Sequence, residues 1–356
     1  MTDGDAVIQD EGVPEGAALD MAAVLERIEA VLLGGPRTYT RLDLAERTGS
    51  DPVSTARMWR SMGLPAAQDD EVAFTDADLS ALARTEQTVA DALIDERTLS
   101  AMTRMIGQSF ARLASWQGQL AVDVLGSHPE LLTSEDQVVE FATRMLADLE
   151  HLQVYVWRRH LAAYLARVAN VTVDDGASSE RAAAVGFADI SGFTRLTRRS
   201  TDAELIDLLD AFESTAQDVV SAHRGRIVKT IGDEVLFVAD DARAGAEIAL
   251  DLLDACAVEE GLPSLRIGVA AGPVVSRLGD VFGSTVNIAS RLTSLSRPGW
   301  ILVDRIMADA LADSPDYDLS SRRPESVRGY HRLYHWRLRR PEARQIVPGK
   351  RASSRR

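Results

Sequence analysis

Side chains that could bind a cation and a phosphate group stand together where an apolar run of this chain ends. The segment Ala184-Val-Gly-Phe-Ala-Asp-Ile-Ser-Gly-Phe-Thr194 is apolar as far as Asp189, and the small and polar residues that follow are typical of the start of a helix. A carboxylate at the end of a strand, beside free backbone N–H groups, suits a cation and phosphates. The alternative interpretation is that Asp189 is only a helix N-cap.

A second carboxylate lies four residues after one of only two lysines in the chain. Lys229 and Asp233 occur in Gly225-Arg-Ile-Val-Lys-Thr-Ile-Gly-Asp-Glu-Val-Leu-Phe-Val238, while arginine supplies nearly all other positive charge. Lysine is a compact point donor on a flexible stem, whereas arginine is a planar fork. The lysine therefore indicates a role that arginine cannot fill, and the alternative is a chance occurrence on a solvated turn. The same pattern predicts a hairpin over 226–239.

A third segment carries an aspartate, an amide and an arginine in Gly279-Asp-Val-Phe-Gly-Ser-Thr-Val-Asn-Ile-Ala-Ser-Arg291. Asn287 and Arg291 are four residues apart, so they share one face of the helix predicted over 284–296. Asp280 precedes this helix on a turn flanked by glycine.

In this order and at this spacing, the three motifs resemble those of the catalytic domain of class III nucleotidyl cyclases, over roughly residues 180–340. The resemblance implies two magnesium or manganese ions held by Asp189 and Asp233, with the carbonyl of Ile190 assisting. The other implied roles are purine recognition by Lys229 and Asp280, ribose positioning by Asn287 and stabilisation of the pentavalent phosphorus by Arg291.

The resemblance also implies substrate contacts from one loop and from one distant arginine. The loop residues are Ile190, Ser191, Gly192, Phe193 and Thr194. The arginine is Arg328, in Ser326-Val-Arg-Gly-Tyr330, at a position where cyclases often have a lysine that contacts the triphosphate. The alternative for Arg328 is an ordinary surface arginine.

The implied reaction closes the 3′-hydroxyl of a nucleoside triphosphate onto its α-phosphate and releases pyrophosphate. Adenine offers an acceptor at ring N1 and a donor at its exocyclic amine, and guanine presents the reverse polarity. Lysine only donates and ionised aspartate only accepts, so Lys229 and Asp280 match adenine. Guanine would leave both charges unpaired. We therefore expect ATP as the substrate and 3′,5′-cyclic AMP as the product.

In the resembled family, the metal aspartates and the purine/arginine set lie on opposite ends of the catalytic domain. Because one chain carries both sets, we expect a head-to-tail homodimer with two shared active sites.

Three alternatives to an adenylate cyclase remain. They are a guanylate cyclase, a diguanylate cyclase, which Ile231-Gly-Asp-Glu-Val235 resembles in part, and a transcription regulator that uses a cyclase-like domain as a nucleotide sensor.

Composition indicates a soluble protein of two domains. The chain has 356 residues, 46% of them hydrophobic, and a net charge of −15, which argues against broad polyanion binding. The single cysteine, Cys256, excludes an intrachain disulfide and suits the cytoplasm. No signal peptide or membrane-spanning segment is predicted.

The breaks in the pattern predict an α+β protein in which an all-helical regulatory domain precedes the catalytic domain. Long helices are predicted over 79–126 and 134–169, and alternating strands and helices follow, as in a ferredoxin-like mixed sheet covered by helices. The predicted boundaries are a disordered N-terminus at 1–18, helices at 19–170, a linker at 171–180, the catalytic domain at 181–340 and a basic tail at 341–356.

Within the helical half, residues 39–77 resemble a helix-turn-helix of the MerR type. Bulky Met58 and Trp59 on its second helix, and several nearby carboxylates, favour a packing role over nucleic-acid binding. The helical layout also resembles that of soluble actinobacterial cyclases with an autoinhibitory, pH-responsive domain. His128, His151 and His160 are the candidate pH-sensing residues, and ordinary surface histidines are the alternative.

Overall fold

The structure, a computed structural model, describes residues 19–91, 94–171, 180–258, 261–277 and 279–341. The chain separates into two compact units, and the division falls between Val173 and Asp174. The predicted disordered N-terminus, most of the predicted linker and nearly all of the predicted basic tail lie outside the described residues.

The described part of the first unit is helical. Its helices are α1 (Met21–Leu32), α2 (Arg41–Thr48), α3 (Pro52–Ser61), α4 (Asp76–Ala90), α5 (Glu96–Ser127) and α6 (Glu135–Val171), with a short 3-10 turn at Pro129–Leu132. No helix in the described ranges combines the length and the apolar character needed to cross a bilayer.

The continuous helix predicted over 79–126 is wrong, because two helices occupy this stretch. α4 ends at Ala90 and α5 begins at Glu96, where the Asp95 carboxylate accepts a hydrogen bond from the backbone N–H of Thr98 at 2.7 Å. An aspartate in this position satisfies a backbone donor that the first helical turn leaves free. The apolar periodicity of the sequence continues from α4 into α5, so the sequence pattern does not reveal the break between the two helices.

The helix-turn-helix-like segment is stabilised by its own small core of Leu44, Phe74 and Leu82. Met58 and Trp59 of α3 pack against this core, and the Trp59 ring meets the Phe74 ring edge-on at 4.8 Å. The bulky face of α3 is thus used for packing inside the unit.

The second unit alternates strands and helices as predicted. Its elements are β1 (Glu180–Ile190), α7 (Phe193–Leu196), α8 (Asp202–Ala222), β2 (Arg226–Ile231), β3 (Glu234–Ala239), α9 (Ala242–Val258), β4 (Leu265–Arg277), β5 (Asp280–Phe282), α10 (Ser284–Leu295), β6 (Trp300–Val303), α11 (Arg305–Leu311), β7 (Asp318–Ser321), β8 (Glu325–Val327), β9 (Tyr330–Leu333) and β10 (Trp336–Arg339).

Seven of these strands form a mixed sheet in the order β2-β3-β1-β4-β6-β10-β7, in which only the β4–β6 pair is parallel. β5 pairs with β4 beside this order, and β8 and β9 form a separate two-stranded sheet. Side chains alternate between the two faces of each strand. One face packs against α8, α9 and α11, and the other packs against α10. The predicted α+β class, with a mixed sheet covered by helices, is confirmed.

The contact between α10 and the sheet is closest at Gly268 of β4. A Cβ atom at this position would lie 2.3 Å from the backbone nitrogen of Thr293 and 2.6 Å from the carbonyl oxygen of Ala289. Both atoms belong to the backbone of α10, so neither can move without moving the helix. Glycine at 268 therefore fixes the height of α10 above the sheet.

We expect Gly268→Ala to lower the free energy of unfolding of the second unit by about 1–3 kcal/mol, the usual cost of overpacking. Thermal unfolding followed by calorimetry measures the change. The control is Gly118→Ala in α5, where an added Cβ meets no atom within 4 Å. Equal stability of the two variants would contradict the proposed contact.

Candidate active site

The centre of the candidate site is the end of β1, where three carboxyl groups gather. The backbone N–H of Ile190 donates to the carbonyl of Asp233 at 3.0 Å, and Asp189 lies opposite Glu234 in the β1–β3 register. This pairing ties the tip of the β2–β3 hairpin to the end of β1. Asp189 is a strand residue and caps no helix, because α7 has Gly192 as its N-cap.

Arg266 is a member of this site that the motif analysis missed. Its Nε donates to Oδ2 of Asp189 at 2.8 Å, and its Nη2 contacts the same oxygen. Asp189 and Arg266 are direct neighbours in the antiparallel β1–β4 register. In the sequence, the only hint is that Arg266 is a charged residue in the apolar run Leu265-Arg-Ile-Gly-Val269. The spacing of the motifs does not connect this arginine to Asp189.

The pKa values of the carboxyl groups reflect their crowding. Burial, and to a lesser extent Asp233, raise the pKa of Asp189, although the bond to Arg266 opposes this. Burial, followed by the charges of Asp189 and Asp233, raises the pKa of Glu234 to about 7. Arg266 is thus a single positive charge beside three carboxyl groups, and it cannot neutralise all of them.

The donor set at this point fits a hard divalent cation. The hydroxyl of Ser191 is buried and has no hydrogen-bond partner in the described part of the chain, as expected for a group that awaits a ligand. Magnesium takes one or two carboxylates and completes its octahedron with water and phosphate oxygens. Among the described residues, no cluster of three or more His, Cys, Asp or Glu side chains is arranged to hold a metal. Asp189 and Asp233 are the residues that would hold the ion.

The loop after β1 has fewer free backbone donors than the sequence predicts. The N–H groups of Ile190 and Ser191 are bonded to the carbonyls of Asp233 and Ser264. Within the described residues, the N–H groups of Gly192, Phe193 and Thr194 have no recorded backbone acceptor. Of the five loop residues, only these three have a backbone N–H group that is free to donate to a phosphate.

The predicted purine pair is formed within one chain. Nζ of Lys229 lies 2.5 Å from Oδ2 of Asp280, and the two side chains are 41% and 29% exposed. Burial raises the pKa of Asp280, but the hydrogen bonds from Lys229 and from the Val281 N–H outweigh it, and the net direction is downward. The pair is thus charged and accessible to a ligand.

Asn287 and Arg291 lie on the outer side of α10. The buried residues of this helix are Thr285, Ala289, Leu292 and Thr293. Asn287 is exposed and Arg291 partly exposed, one helical turn apart. Their shared face was correctly predicted, and it is directed away from the sheet of the same chain.

Arg328 does not join the other candidate residues in the described chain. It is exposed on the tight turn between β8 and β9, beside Gly329 at a φ of 91°.

Comparison with known proteins decides the family. Residues 177–340 match the family described as the adenylate and guanylate cyclase catalytic domain. A protein of Streptomyces coelicolor called adenylate cyclase is 42% identical over 315 residues, covering 88% of this chain and 82% of that protein. This chain belongs to the class III adenylate cyclase family.

Two further likenesses accompany this result. A Streptomyces griseus protein, also called adenylate cyclase, is 43% identical over 80% of this chain and 71% of its own length. Among solved structures, the catalytic core of a rhodopsin-guanylyl cyclase with converted specificity, in complex with ATPalphaS, has 24% identity and a TM-score of 0.43. It covers 45% of this chain and 96% of its own.

The raised pKa of Glu234 predicts a pH dependence of stability in metal-free protein. Folding raises this pKa from 4.5 to about 7, so the folded state favours the protonated carboxyl. Relative to Glu234→Gln, the wild-type free energy of unfolding should therefore fall as pH rises from 4.5 to about 7 and level off above this range. Chemical denaturation with a chelator present measures the difference. Glu213→Gln, on the exposed side of α8, is the control, and parallel pH profiles for wild type and Glu234→Gln would refute the prediction.

Proposed function

We propose that this protein is an adenylate cyclase that converts ATP to 3′,5′-cyclic AMP and pyrophosphate. The observation that carries this proposal is the ion pair of Lys229 and Asp280, a charged donor beside a charged acceptor at 2.5 Å. Adenine presents the complementary acceptor and donor on one edge, whereas guanine presents the opposite order. Family membership supports the reaction type, and the Streptomyces relatives called adenylate cyclases support the base.

Each residue of the site has a task in this reaction. Asp189 and Asp233 bind the metal ions, which, when bound, neutralise the triphosphate and acidify the attacking 3′-hydroxyl. Arg266 opposes the rise in the pKa of Asp189 and holds its carboxyl group in position at the end of β1. Asn287 orients the ribose, and Arg291 supplies a fixed positive charge to the phosphorus as it becomes pentavalent. Because little other covalent chemistry is required, positioning dominates the rate.

We propose that two chains form a head-to-tail homodimer with shared active sites, and the positions of these groups on one chain support this proposal. Arg266 is near the start of β4, beside Asp189, whereas Asp280 pairs with Arg277 at the end of β4. Asn287 and Arg291 are on the side of α10 directed away from their own sheet. A second chain related by two-fold symmetry would bring its α10 to the carboxylates of the first.

Reversal of the polarity of the purine pair tests the assignment of substrate. We expect wild-type protein with Mg²⁺ or Mn²⁺ to form cyclic AMP from ATP in preference to cyclic GMP from GTP. Lys229→Glu with Asp280→Cys should lower kcat/KM for ATP by at least about a hundredfold, because two charge-assisted hydrogen bonds are lost, and should admit some GTP. Product identification by chromatography measures both.

The matched control for this experiment is Lys350→Glu, the same charge change at the only other lysine. Wild-type protein that makes cyclic GMP and no cyclic AMP would refute the proposed function. An ATP/GTP preference that is unaltered in the double variant would remove Lys229 and Asp280 from base recognition.

We further propose that the helical unit regulates the catalytic one. The likeness to the Streptomyces coelicolor protein covers 88% of this chain and so extends well into the helical unit. An active site that forms only when two catalytic units meet can be switched by a helical unit that repositions them. His151 and His160 are exposed on α6, the helix that leads to the linker, near Glu150, Arg158 and Arg159 of the same helix.

Protonation of these histidines is the proposed trigger. We expect the variant in which His128, His151 and His160 are all changed to Gln to lose most of the activity change that wild type shows between neutral and mildly acidic pH. Initial rates as a function of pH measure this. His331→Gln, on the exposed hairpin of the catalytic unit, is the control. Superimposable profiles for wild type and the triple variant would exclude these residues as the sensor.

A further inference from the structure

Three arginines surround one tryptophan on the second unit. The guanidinium carbons of Arg337, Arg322 and Arg297 lie 4.2, 4.7 and 5.2 Å from the ring centroid of Trp300. Contacts of this kind stabilise one cation on an aromatic face, but three cations on the same ring also repel one another. We name Arg297, Arg322, Arg337 and Trp300 the arginine cluster.

The cluster lacks negative partners in the described part of the chain. None of its three guanidinium groups forms an ion pair there, although the sequence has 54 acidic residues against 39 lysines and arginines. The nearby Asp318 is bonded to Arg339 at 2.7 Å. Burial, followed by the charges of Arg322 and Arg339, lowers the pKa of Arg337, and Asp318 only partly opposes this.

Unsatisfied donors accompany the excess of positive charge. The Nε atoms of Arg322 and Arg337 are buried and have no hydrogen-bond partner among the described residues. Arg322 makes one long side-chain hydrogen bond, from Nη2 to the hydroxyl of Ser320 at 3.4 Å. A buried polar group without a partner costs free energy, so such a group in a folded protein indicates an additional ligand.

The register places the cluster on the same face of the sheet as the candidate active site. Trp300 lies opposite Arg266 in the β4–β6 pair, and Arg266 lies opposite Asp189 in the β1–β4 pair. Neighbouring strands are about 4.8 Å apart, so the backbone of Trp300 lies roughly 10 Å from the backbone of Asp189, two strands away. Arg337 lies opposite Leu302, which belongs to the core on that face.

We propose that the arginine cluster is a binding site for a phosphate-bearing anion, adjacent to and separate from the residues that would hold the metal. Guanidinium groups bind phosphate oxygens with paired, charge-assisted hydrogen bonds. A phosphate group or a pyrophosphate, with two or more negative charges, matches three guanidinium groups better than a single carboxylate does. This site goes beyond the proposed reaction and does not depend on it, because it needs neither a metal ion nor a base.

Pyrophosphate binding to the full-length, metal-free protein tests the proposal. With a chelator present, Asp189 and Asp233 repel the probe, so calorimetric titration reports on the cluster. Arg322→Gln with Arg337→Gln should weaken binding by about ten- to a hundredfold. The control is Arg305→Gln, which also removes an arginine near aromatic rings but on α11, where Trp336 packs against the core of the opposite sheet face. It should bind pyrophosphate as wild type does.

Stability provides a second measurement that is independent of the affinity. Without ligand, the double variant should unfold at the same temperature as wild type or higher, because repulsion between like charges is relieved. Pyrophosphate should raise the unfolding temperature of wild type and of Arg305→Gln but leave that of the double variant unchanged. Equal pyrophosphate affinity in wild type and the double variant, no pyrophosphate binding to wild type, or succinate binding as tight as that of pyrophosphate would overturn the proposal.

A final titration identifies the source of the phosphate. Pyrophosphate is added to protein saturated with Mg²⁺ and a non-hydrolysable ATP analogue. Loss of the cluster-dependent binding shows that the phosphates of the nucleotide occupy the cluster, whereas its persistence shows that a separate phosphate-bearing molecule does. Either result supports a phosphate site.

Discussion

Electrostatic repulsion at the end of β1 is the constraint on which the site depends. The β1–β3 and β1–β4 registers bring Asp189, Glu234 and Arg266 side by side, and the hairpin tip adds Asp233. Hydrogen bonds of the sheet fix these positions, so the side chains cannot move apart to relieve the repulsion. Burial is the main reason why the pKa values of Asp189 and Glu234 are raised; the neighbouring carboxylates add to this effect, and Arg266 only partly opposes it. A cation relieves this strain, and a cation is what the proposed chemistry requires.

The residues proposed to bind the metal and the residues proposed to bind the purine and ribose occupy different places around the same sheet. Close packing at Gly268 holds α10 against the strands, and the side of the helix that carries Asn287 and Arg291 is left outward. Asp280 of the purine pair lies opposite Arg277, at the other end of β4 from Arg266. Under this proposal, one chain alone does not contain a complete active site, so activity requires the homodimer. Under the proposed regulation, the helical unit acts by changing how two catalytic units assemble.

The sequence was sufficient where local chemistry and motif spacing decide the structure. The hairpin before and after Gly232 and the helix at Ser284–Leu295 were predicted correctly, because turns and apolar periodicity act over a few residues. The family motifs implied a common role in purine recognition for Lys229 and Asp280, but they did not predict the direct ion pair between them.

The missed features depend on contacts between distant segments. Arg266 reaches Asp189 only through strand register, and no local pattern reveals register. The arginine cluster likewise joins two loops, at Arg297 and Arg322, to Arg337 of β10 and Trp300 of β6. The strands β7–β10, after Val303, are too short for apolar alternation to reveal them in the sequence.

The central claim is that each active site is built from two chains, and mixing two inactive variants tests it most directly. Asp233→Ala removes a proposed metal ligand, and Arg291→Ala removes the positive charge proposed to stabilise the reacting phosphorus, so each homodimer should be inactive. In an equal mixture that exchanges subunits, half of the dimers carry one intact site, and activity should recover to about a quarter of the wild-type value. Mixed dimers that form, as shown by differently tagged chains, yet make no cyclic AMP would contradict the account.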